Sequence, residues 1–221
     1  MDEIQLYLTP LTNNLEQLRA VSQNVSNINT PGYNAQSFAS SFDGSQTLVH
    51  KVNGHSVRST GQELNFAITG KAFFLIEKDS GRYITKNGSF HIDASKQLTH
   101  ISGGKLLVDG APMNLQGAEF SVSSTGEVSE NGKVIGKINL VEPTTNAQLR
   151  PAGDGLYQLT EGGLLDVEGE VTQGAINTSN VNPAYEMSRL LQLSRHTESL
   201  QKAAQTYNEM LSKGISDIGG K

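Results

Sequence analysis

The sequence predicts an α+β fold, with one α-helix at each end of the chain and an antiparallel, all-β domain in the centre. Most of the 23 glycines lie between Gly44 and Gly174, and glycine weakens a helix interior by about 1 kcal/mol relative to alanine. Apolar residues recur every 3.5 residues at the two ends and alternate with period two in the centre. The ends are therefore expected to be helical and the centre to be sheet.

The N-terminal helix is predicted from a stripe with alternating spacings of three and four residues. Such a seam is typical of helices that pack against another helix. Asn13, Asn14 and Asn24 are polar positions that flank the stripe. The helix is expected to stop at residues 29–33, where Pro31 removes a backbone donor and Gly32 permits a turn. The stripe consists of Leu8, Leu11, Leu15, Leu18, Ser22 and Val25.

The central domain is predicted from short apolar runs that turn signals separate about every ten residues. Residues 73–76 form a continuous apolar run, which is typical of a buried strand. Asn87-Gly88 and Asp109-Gly110 each stand between such runs and predict hairpin turns. The pattern favours an antiparallel sandwich or barrel, and the absence of a helical period argues against a parallel α/β fold.

The C-terminal helix has a predicted start as well as a stripe. Asn182 is a candidate N-cap, Pro183 fits the first helical position and Glu186 lies in the first turn. Gly214 is expected to end the helix. The stripe consists of Leu190, Leu193, Thr197, Leu200, Ala204, Tyr207 and Leu211.

Two interpretations of the helical stripes remain open on spacing alone. The helices can pair within one chain and cover the β domain, or they can pack with helices of other subunits. Spacing alone favours the first interpretation, because an apolar helical stripe usually faces a core.

The composition excludes several functional classes. The chain has no cysteine, which excludes disulfides and thiolate chemistry, and its net charge of −5 argues against binding nucleic acid. No two of His50, His55, His91, His100 and His196 have helical ligand spacing, so no metal site is expected. No nucleophile motif is present, and we expect no enzymatic activity, cofactor or small-molecule substrate. No membrane-spanning run or basic, apolar signal segment is visible, so we expect no membrane insertion.

Three segments resemble signatures of the bacterial flagellar rod and hook protein family, in family order. Residues 24–33 are similar to the family's N-terminal motif, which ends in Asn-Thr-Pro-Gly-Tyr. Residues 64–74 and 83–90 are similar to its central β segment, although Ala72 replaces a usual glycine. Residues 174–183 resemble its C-terminal signature, with Asn177 where glutamate is common. The chain length and residues 195–198 are similar to proximal-rod members of the family.

The resemblance implies a structural subunit of the basal-body rod, an axial drive shaft that transmits torque from motor to hook. It reverses the preference from spacing, since family helices pack within and between subunits as an axial, coiled-coil-like layer. It implies subunit contacts through Leu8, Leu11, Leu15, Leu18, Val25, Leu190, Leu193, Leu200, Ala204, Tyr207 and Leu211. It implies a hinge formed by the motif residues Asn27, Asn29, Thr30, Pro31, Gly32, Tyr33, Ser179, Asn180 and Val181.

The same resemblance implies partners and location. The expected partners are other copies of the chain, other rod proteins and the flagellar type III export apparatus. The expected location is the rod in the periplasm, reached without a cleaved signal peptide. The corresponding domains are an axial helix at 1–33, an arm or linker at 34–60, a β-rich outer domain at 61–175 and a second axial helix at 176–221. Two other classes remain open, namely a secreted, adhesin-like β-domain binding module and a hydrolase.

Overall fold

The computed structural model describes residues 2–40, 46–52, 54–79, 81–115 and 120–219. These residues contain the helices α1 (Asp2–Ser26) and α2 (Pro183–Gly219), with strands between them. The strands are β1 (Gln36–Ser40), β2 (Gln46–His50), β3 (Val57–Ser59), β4 (Phe66–Ile68), β5 (Phe73–Lys78), β6 (Gly81–Thr85), β7 (Phe90–Ile92), β8 (Leu98–His100), β9 (Lys105–Val108), β10 (Ala111–Pro112), β11 (Phe120–Val122), β12 (Glu127–Glu130), β13 (Lys133–Lys137), β14 (Leu140–Pro143), β15 (Gln148–Pro151), β16 (Leu156–Glu161), β17 (Leu164–Asp166), β18 (Val171–Gln173) and β19 (Ala175–Asn177).

The chain divides into two compact units. The helical unit comprises Met1–Ser26, Gln36–Val49 and Val181–Lys221, and the β unit comprises Asn27–Ala35 and His50–Asn180. Residues 34–60, predicted as an arm or linker, contain β1, β2 and β3 apart from the positions 41–45 and 53, which lie outside the described residues. Neither helix carries, in its described residues, an apolar stretch long enough to cross a bilayer.

The start of α2 is as predicted, but its end is not. The Oδ1 atom of Asn182 accepts a hydrogen bond from the backbone N–H of Tyr185 at 3.1 Å, which makes Asn182 the N-cap. The expected stop at Gly214 is wrong, because α2 continues to Gly219. One glycine costs a helix about 1 kcal/mol, which the backbone hydrogen bonds that continue past it can offset.

The two helices pack against each other within the helical unit, in antiparallel directions. Near the middle of α1, the Nδ2 atom of Asn14 donates to the Thr197 hydroxyl at 2.6 Å and to the Leu193 carbonyl at 3.1 Å. Near the end of α1, the Nδ2 atom of Asn24 donates to Glu186 Oε1 at 3.0 Å. Moving forward along α1 therefore means moving backward along α2.

The expected axial, coiled-coil-like layer is wrong, although the α+β class and the antiparallel centre are confirmed. A coiled coil would bury the leucine seam of both helices, but Leu15 in the middle of the α1 seam is 39% exposed. The buried positions on α1 are instead Asn14, Ala20, Val21 and Asn24. The physical reason is that buried amides require partners, and α2 of the same chain supplies them.

The β unit is built from antiparallel pairs. Its large sheet runs in the order β15-β16-β6-β5-β9-β8-β7, with β10 paired to β9, β14 paired to β5, and β17 paired to β14. A three-stranded sheet has the order β11-β12-β13, and the pairs β18-β4 and β19-β3 stand apart. Every described pairing register is antiparallel, and β19 pairs Ala175, Ile176 and Asn177 with Ser59, Arg58 and Val57.

Strand β5 lies between two apolar clusters. Phe74 and Ile76 belong to the larger cluster, whereas Phe73 and Leu75 belong to the smaller one with Tyr157. Successive side chains of a strand point to opposite faces, so a strand buried on both faces reads as a continuous apolar run. The predicted buried strand at 73–76 is confirmed.

Of the two predicted hairpin turns, one is confirmed and one is wrong. Asp109 and Gly110 have φ of 49° and 83° and join β9 to β10. Asn87-Gly88 joins strands that do not pair with each other, since β6 pairs with β5 and β16 while β7 pairs with β8. Gly88 is needed for close approach, because a Cβ atom there would lie 1.7 Å from the Phe66 carbonyl oxygen.

Candidate assembly site

The predicted subunit-contact residues of α1 and α2 differ in burial. Leu193 is buried, and Leu15 is exposed. Leu8 and Leu211 lie outside the residues whose side chains are described. The remaining positions are half-buried, namely Leu11, Leu18, Val25, Leu190, Leu200, Ala204 and Tyr207. The half-buried stripe on α2 follows the predicted spacing, whereas the buried positions on α1 do not follow the leucine seam.

The first motif forms a tight turn directly after α1. The backbone N–H of Thr30 donates to the Asn27 carbonyl at 3.1 Å, and the Thr30 hydroxyl donates to Asn27 Oδ1 at 3.0 Å. The N–H of Tyr33 then donates to the Thr30 carbonyl at 3.3 Å. Asn29 is exposed and Pro31 is half-buried, whereas Tyr33 is buried. The motif therefore closes on itself through its Asn and Thr side chains.

Gly32 is the residue in this turn that no other amino acid can replace without strain. Its φ is 65°, and a Cβ atom would lie 2.3 Å from the Asn87 nitrogen and from the Lys86 carbonyl carbon. Its N–H donates to the Asn177 carbonyl at 2.8 Å. The glycine therefore brings the N-terminal motif into backbone contact with the C-terminal signature, inside the β unit.

The C-terminal motif binds the residues that follow the first motif. Asn180 Oδ1 accepts from the N–H of Ala35 at 2.7 Å, its own N–H donates to the Tyr33 carbonyl at 3.3 Å, and its Nδ2 donates to the Lys51 carbonyl. Ser179 is half-buried and Val181 is buried. The two sequence motifs, almost 150 residues apart in the chain, thus meet through Asn180.

Two buried asparagines act as substitutes for a neighbouring strand. Asn177 Oδ1 accepts from the N–H of Ile68 and its Nδ2 donates to the carbonyl of the same residue, both at 2.9 Å. In the helical unit, Asn24 makes the same pair of bonds with the N–H and carbonyl of Gln36, both at 2.8 Å. A side-chain amide carries one donor group and one acceptor, so it satisfies both backbone groups of a strand residue.

His55 joins Asn34, which directly follows the first motif, to Thr178, which lies in the C-terminal signature. Its Nδ1 lies 2.8 Å from the Thr178 carbonyl oxygen, which can only accept, and its Nε2 lies 2.9 Å from Asn34 Oδ1. Burial lowers the pKa of His55, the bond to Thr178 raises it, and the charge of Lys86 lowers it further. With one proton on the ring, donation from Nδ1 to the Thr178 carbonyl leaves Nε2 as an acceptor. This nitrogen pairs with Asn34 only when the amide NH₂ group faces the ring.

Lys86 is a cation enclosed in the same unit. Its side chain is fully buried, and its Nζ donates to the Gly70 carbonyl at 2.5 Å and lies 5.4 Å from the centre of the Phe73 ring. Burial lowers the pKa of Lys86 to about 8, against the attraction of Glu142. The side chain ties two loops of the β unit together at the cost of a desolvated charge.

The sequence pattern does not predict the polar residues that hold these segments together. It predicts Asn14 and Asn24 as polar positions flanking the α1 stripe, but both are buried. It predicts no contact for Asn34, His55 or Asn177, and it places Glu186 only in the first turn of α2. The spacing of Asn14, Val21 and Asn24 by seven and three residues does place them on one helical face.

The described residues offer little that suggests chemistry. They contain no group of three His, Asp or Glu side chains placed to bind a metal ion. A groove of about 350 Å³ lies in the helical unit, between α1 and the β1–β2 pair. Its lining consists of Glu16, Arg19, Ala20, Gln23, Gln36, Phe38 and Leu48. This mixed lining suits contact with a protein surface better than the activation of a nucleophile.

Two family models match the chain in separate segments. Residues 67–130 match the D1 domain of the flagellar hook protein FlgE/F/G. Residues 172–217 match the C-terminal region of flagellar basal-body rod FlgEFG proteins. The first segment covers the central strands of the β unit, and the second covers the C-terminal motif and most of α2.

Similar proteins extend the match over nearly the whole chain. The flagellar basal-body rod protein FlgF of Caulobacter vibrioides is 25% identical over 225 residues, 92% of each chain. FlgF of Rhizobium meliloti is 28% identical over 232 residues, 93% of this chain and 92% of the relative. FlgG of Buchnera aphidicola subsp. Schizaphis graminum is 30% identical over 72% of this chain and 66% of the relative. The chain belongs to the family of bacterial flagellar basal-body rod and hook proteins.

Proposed function

We propose that the protein is a structural subunit of the flagellar basal-body rod, where it assembles with other rod and hook proteins and with copies of itself. The observation that carries the proposal is the junction of the two motifs, in which Gly32 and Asn180 bind the N-terminal and C-terminal segments to each other. FlgF and FlgG relatives are named as rod proteins. No finding favours the adhesin-like alternative.

The subunit contacts are proposed to use the exposed apolar side chains of the helical unit together with the predicted stripe residues. Leu15 on α1 is exposed, and Met187 and Leu191 lie on one flank of α2 with exposures of 45% and 59%. Apolar side chains in such positions gain free energy when another surface covers them. The longer α2, with 37 residues against 25 in α1, offers a further surface to neighbours.

The proposed mechanical role is to carry torque along the rod. The hydrogen bonds of Gly32 and Asn180 hold the N-terminal and C-terminal motifs together inside the β unit, which supports a β unit that keeps its shape under load. We further propose export through the flagellar type III apparatus without a cleaved signal peptide, and a final location in the periplasmic part of the basal body.

A motility assay tests this function. In a strain that lacks its own copy of the gene, Leu191→Asp is expected to abolish swimming, because a charge would be buried at a subunit contact. The neighbouring exposed position provides the control, since Gln192→Asp is expected to swim normally. Normal swimming of both Leu191→Asp and Met187→Asp would contradict the proposed contact. Labelled protein absent from purified basal bodies would contradict the proposed function itself.

A further inference from the structure

The apolar stripes of α1 and α2 do not by themselves select one register. If α2 slips by one heptad, Leu193 is replaced by Leu200 and Leu200 is replaced by Tyr207, so apolar positions meet apolar positions again. Helix length does not prevent the slip, because α2 has 37 residues and α1 has 25. Another feature of the helical unit must therefore fix the register.

Two buried polar contacts supply that feature. Asn14 binds Thr197 and Leu193, with the His196 ring nitrogen Nδ1 3.3 Å from its Oδ1. Asn24 binds Glu186, and both side chains are more than nine-tenths buried. The contacts lie ten residues apart on α1 and seven to eleven residues apart on α2, so both correspond to the same antiparallel offset.

A slip of one heptad in either direction would remove the contact between Asn24 and Glu186. One heptad in one direction places Leu200 and Ala204 opposite Asn14, and Leu193 opposite Asn24. None of these side chains has a hydrogen-bonding group. One heptad in the other direction places Glu186 opposite Asn14, where it can accept. The same slip places Ser179 opposite Asn24, before the first residue of α2, so Asn24 loses its partner on that helix. Buried amides without partners are strongly disfavoured, whereas apolar contacts discriminate weakly between such registers.

We propose that Asn14, Asn24 and Glu186 form a register lock, which determines the turn of α2 that packs against each turn of α1. Asn24 extends the lock to the strand that follows, because the same amide binds the N–H and carbonyl of Gln36. The lock therefore fixes both the helix offset and the position of β1. The polar groups determine which register the helices adopt, and the apolar stripe supplies the attraction between the helices.

Spin-label distances can measure the register directly, since the chain has no cysteine of its own. Ser22→Cys and Gln201→Cys, both at exposed positions, carry nitroxide labels on α1 and α2. The parent protein is expected to give one narrow distance distribution. A slip of one heptad moves one label along the helix axis by about 10 Å, which pulsed electron–electron resonance resolves.

The decisive variant combines Asn14→Leu with Glu186→Leu. It removes both buried interhelical contacts, keeps the Asn24–Gln36 bonds and leaves no unpaired carboxylate. The Arg189–Gln17 contact between the helices, at 3.4 Å, is retained. We expect the helical circular dichroism to persist and a second distance population to appear, displaced by about 10 Å. Glu186→Gln retains an acceptor for Asn24 and is expected to keep the single distance. The matched control, Glu198→Leu with Asn208→Leu at exposed positions of α2, is also expected to keep it.

Three results would overturn the lock. An unchanged single distance in the Asn14→Leu, Glu186→Leu variant would mean that apolar packing sets the register. Loss of the helical signal in the same variant would mean that the polar residues are needed for pairing itself. A second population in the exposed control would likewise remove the connection between the buried contacts and the register.

Discussion

The interactions that stabilise the interior of the helical unit differ from those that stabilise the interior of the β unit. In the β unit, aromatic and aliphatic side chains fill two clusters, with Phe66, Phe73 and Phe74 fully buried. In the helical unit, the most buried side chains include Asn14 and Asn24, while Leu15 and Leu191 remain exposed. Apolar burial stabilises without direction, whereas buried amides are favourable only in one geometry. The helical unit therefore buries fewer apolar side chains, has a more defined geometry, and leaves apolar side chains exposed on its surface.

The largest expected effect is the loss of a core side chain in the β unit. Phe74→Ala should lower the free energy of unfolding of this unit by about 3–5 kcal/mol, because it removes an aromatic ring that contacts Phe90 and leaves a cavity. Urea denaturation, monitored through hydrogen exchange of the β5 and β6 amides, measures this free energy of unfolding. Leu15→Ala in the helical unit is the control and should change stability by less than about 0.5 kcal/mol. Equal effects of the two substitutions would contradict a difference in packing between the two units.

The next effect concerns the motif turn inside the β unit. Gly32→Ala combines a positive φ with a Cβ atom 2.3 Å from neighbouring backbone. We expect a destabilisation of at least about 2 kcal/mol, since neither contact can relax without moving the chain. Gly132→Ala is the matched control, because its φ of 77° is also positive but no atom lies within 4 Å of the added methyl group. Thermal unfolding that shows equal losses for both variants would contradict a role for the close approach.

A smaller effect is expected from the amide in the helical unit. Asn24→Ala should cost about 1–3 kcal/mol, because the N–H and carbonyl of Gln36 and an oxygen of Glu186 lose their partner. Hydrogen exchange should become faster at Gln36 and in the facing turns of α1 and α2, with the β5 and β6 amides unchanged. Ser22→Ala, at an exposed position on the same helix, should have no comparable effect. Acceleration spread evenly over both units would argue against a local amide network.

The smallest effect is expected at the helix cap. Asn182→Ala removes the acceptor for the Tyr185 N–H and should cost about 1 kcal/mol. The expected result is faster hydrogen exchange in the first turn of α2 only. Asn182→Asp, which keeps the acceptor, should restore the slow rate. A failure of Asp to restore it would mean that the cap does not act through this hydrogen bond.

The parts of the fold that were predictable depend on local pattern. Residues 73–76 predict a buried strand because a strand covered on both faces must be apolar throughout. Asp109-Gly110 predicts a turn because its two positive φ values are a local requirement. Asn87-Gly88 carries the same local signal, but its glycine is present for a backbone contact with Phe66, which is distant in sequence. The local sequence pattern therefore marks the glycines of both pairs as necessary, but it does not show whether a glycine serves a turn or a close backbone contact.

The polar contacts were not predictable for a related reason. Asn14 and Thr197 are 183 residues apart, and Asn24 and Glu186 are 162 apart. An asparagine on a helix predicts a solvated flank when its partner is unknown, and burial becomes favourable only once the partner is in place. The family resemblance marks Gly32 as a motif residue, but the close approach to Lys86 and Asn87 that requires a glycine there is visible only in the folded structure.

The two units should also respond to pH in opposite directions. Burial lowers the pKa of His50 and His55, and it lowers the pKa of His100 to about 4. The unfolded chain then binds more protons below pH 6.5, so the β unit loses stability as the pH falls. Burial raises the pKa of Glu186, opposed by its bond to Asn24 and by Arg189. The folded helical unit then binds more protons above pH 4.5, so it gains stability as the pH falls toward that value.

Hydrogen exchange of both units between pH 6.5 and 4.5 tests the difference most directly, with each rate corrected for the intrinsic pH dependence of exchange. As the pH falls over this interval, the opening free energy of the α1 and α2 amides is expected to rise while that of the β5 and β6 amides falls. Glu186→Gln should remove the rise in the helices and leave the fall in the strands. Parallel changes in the two units, or a helical response that Glu186→Gln does not alter, would contradict the claim that they are held by different interactions.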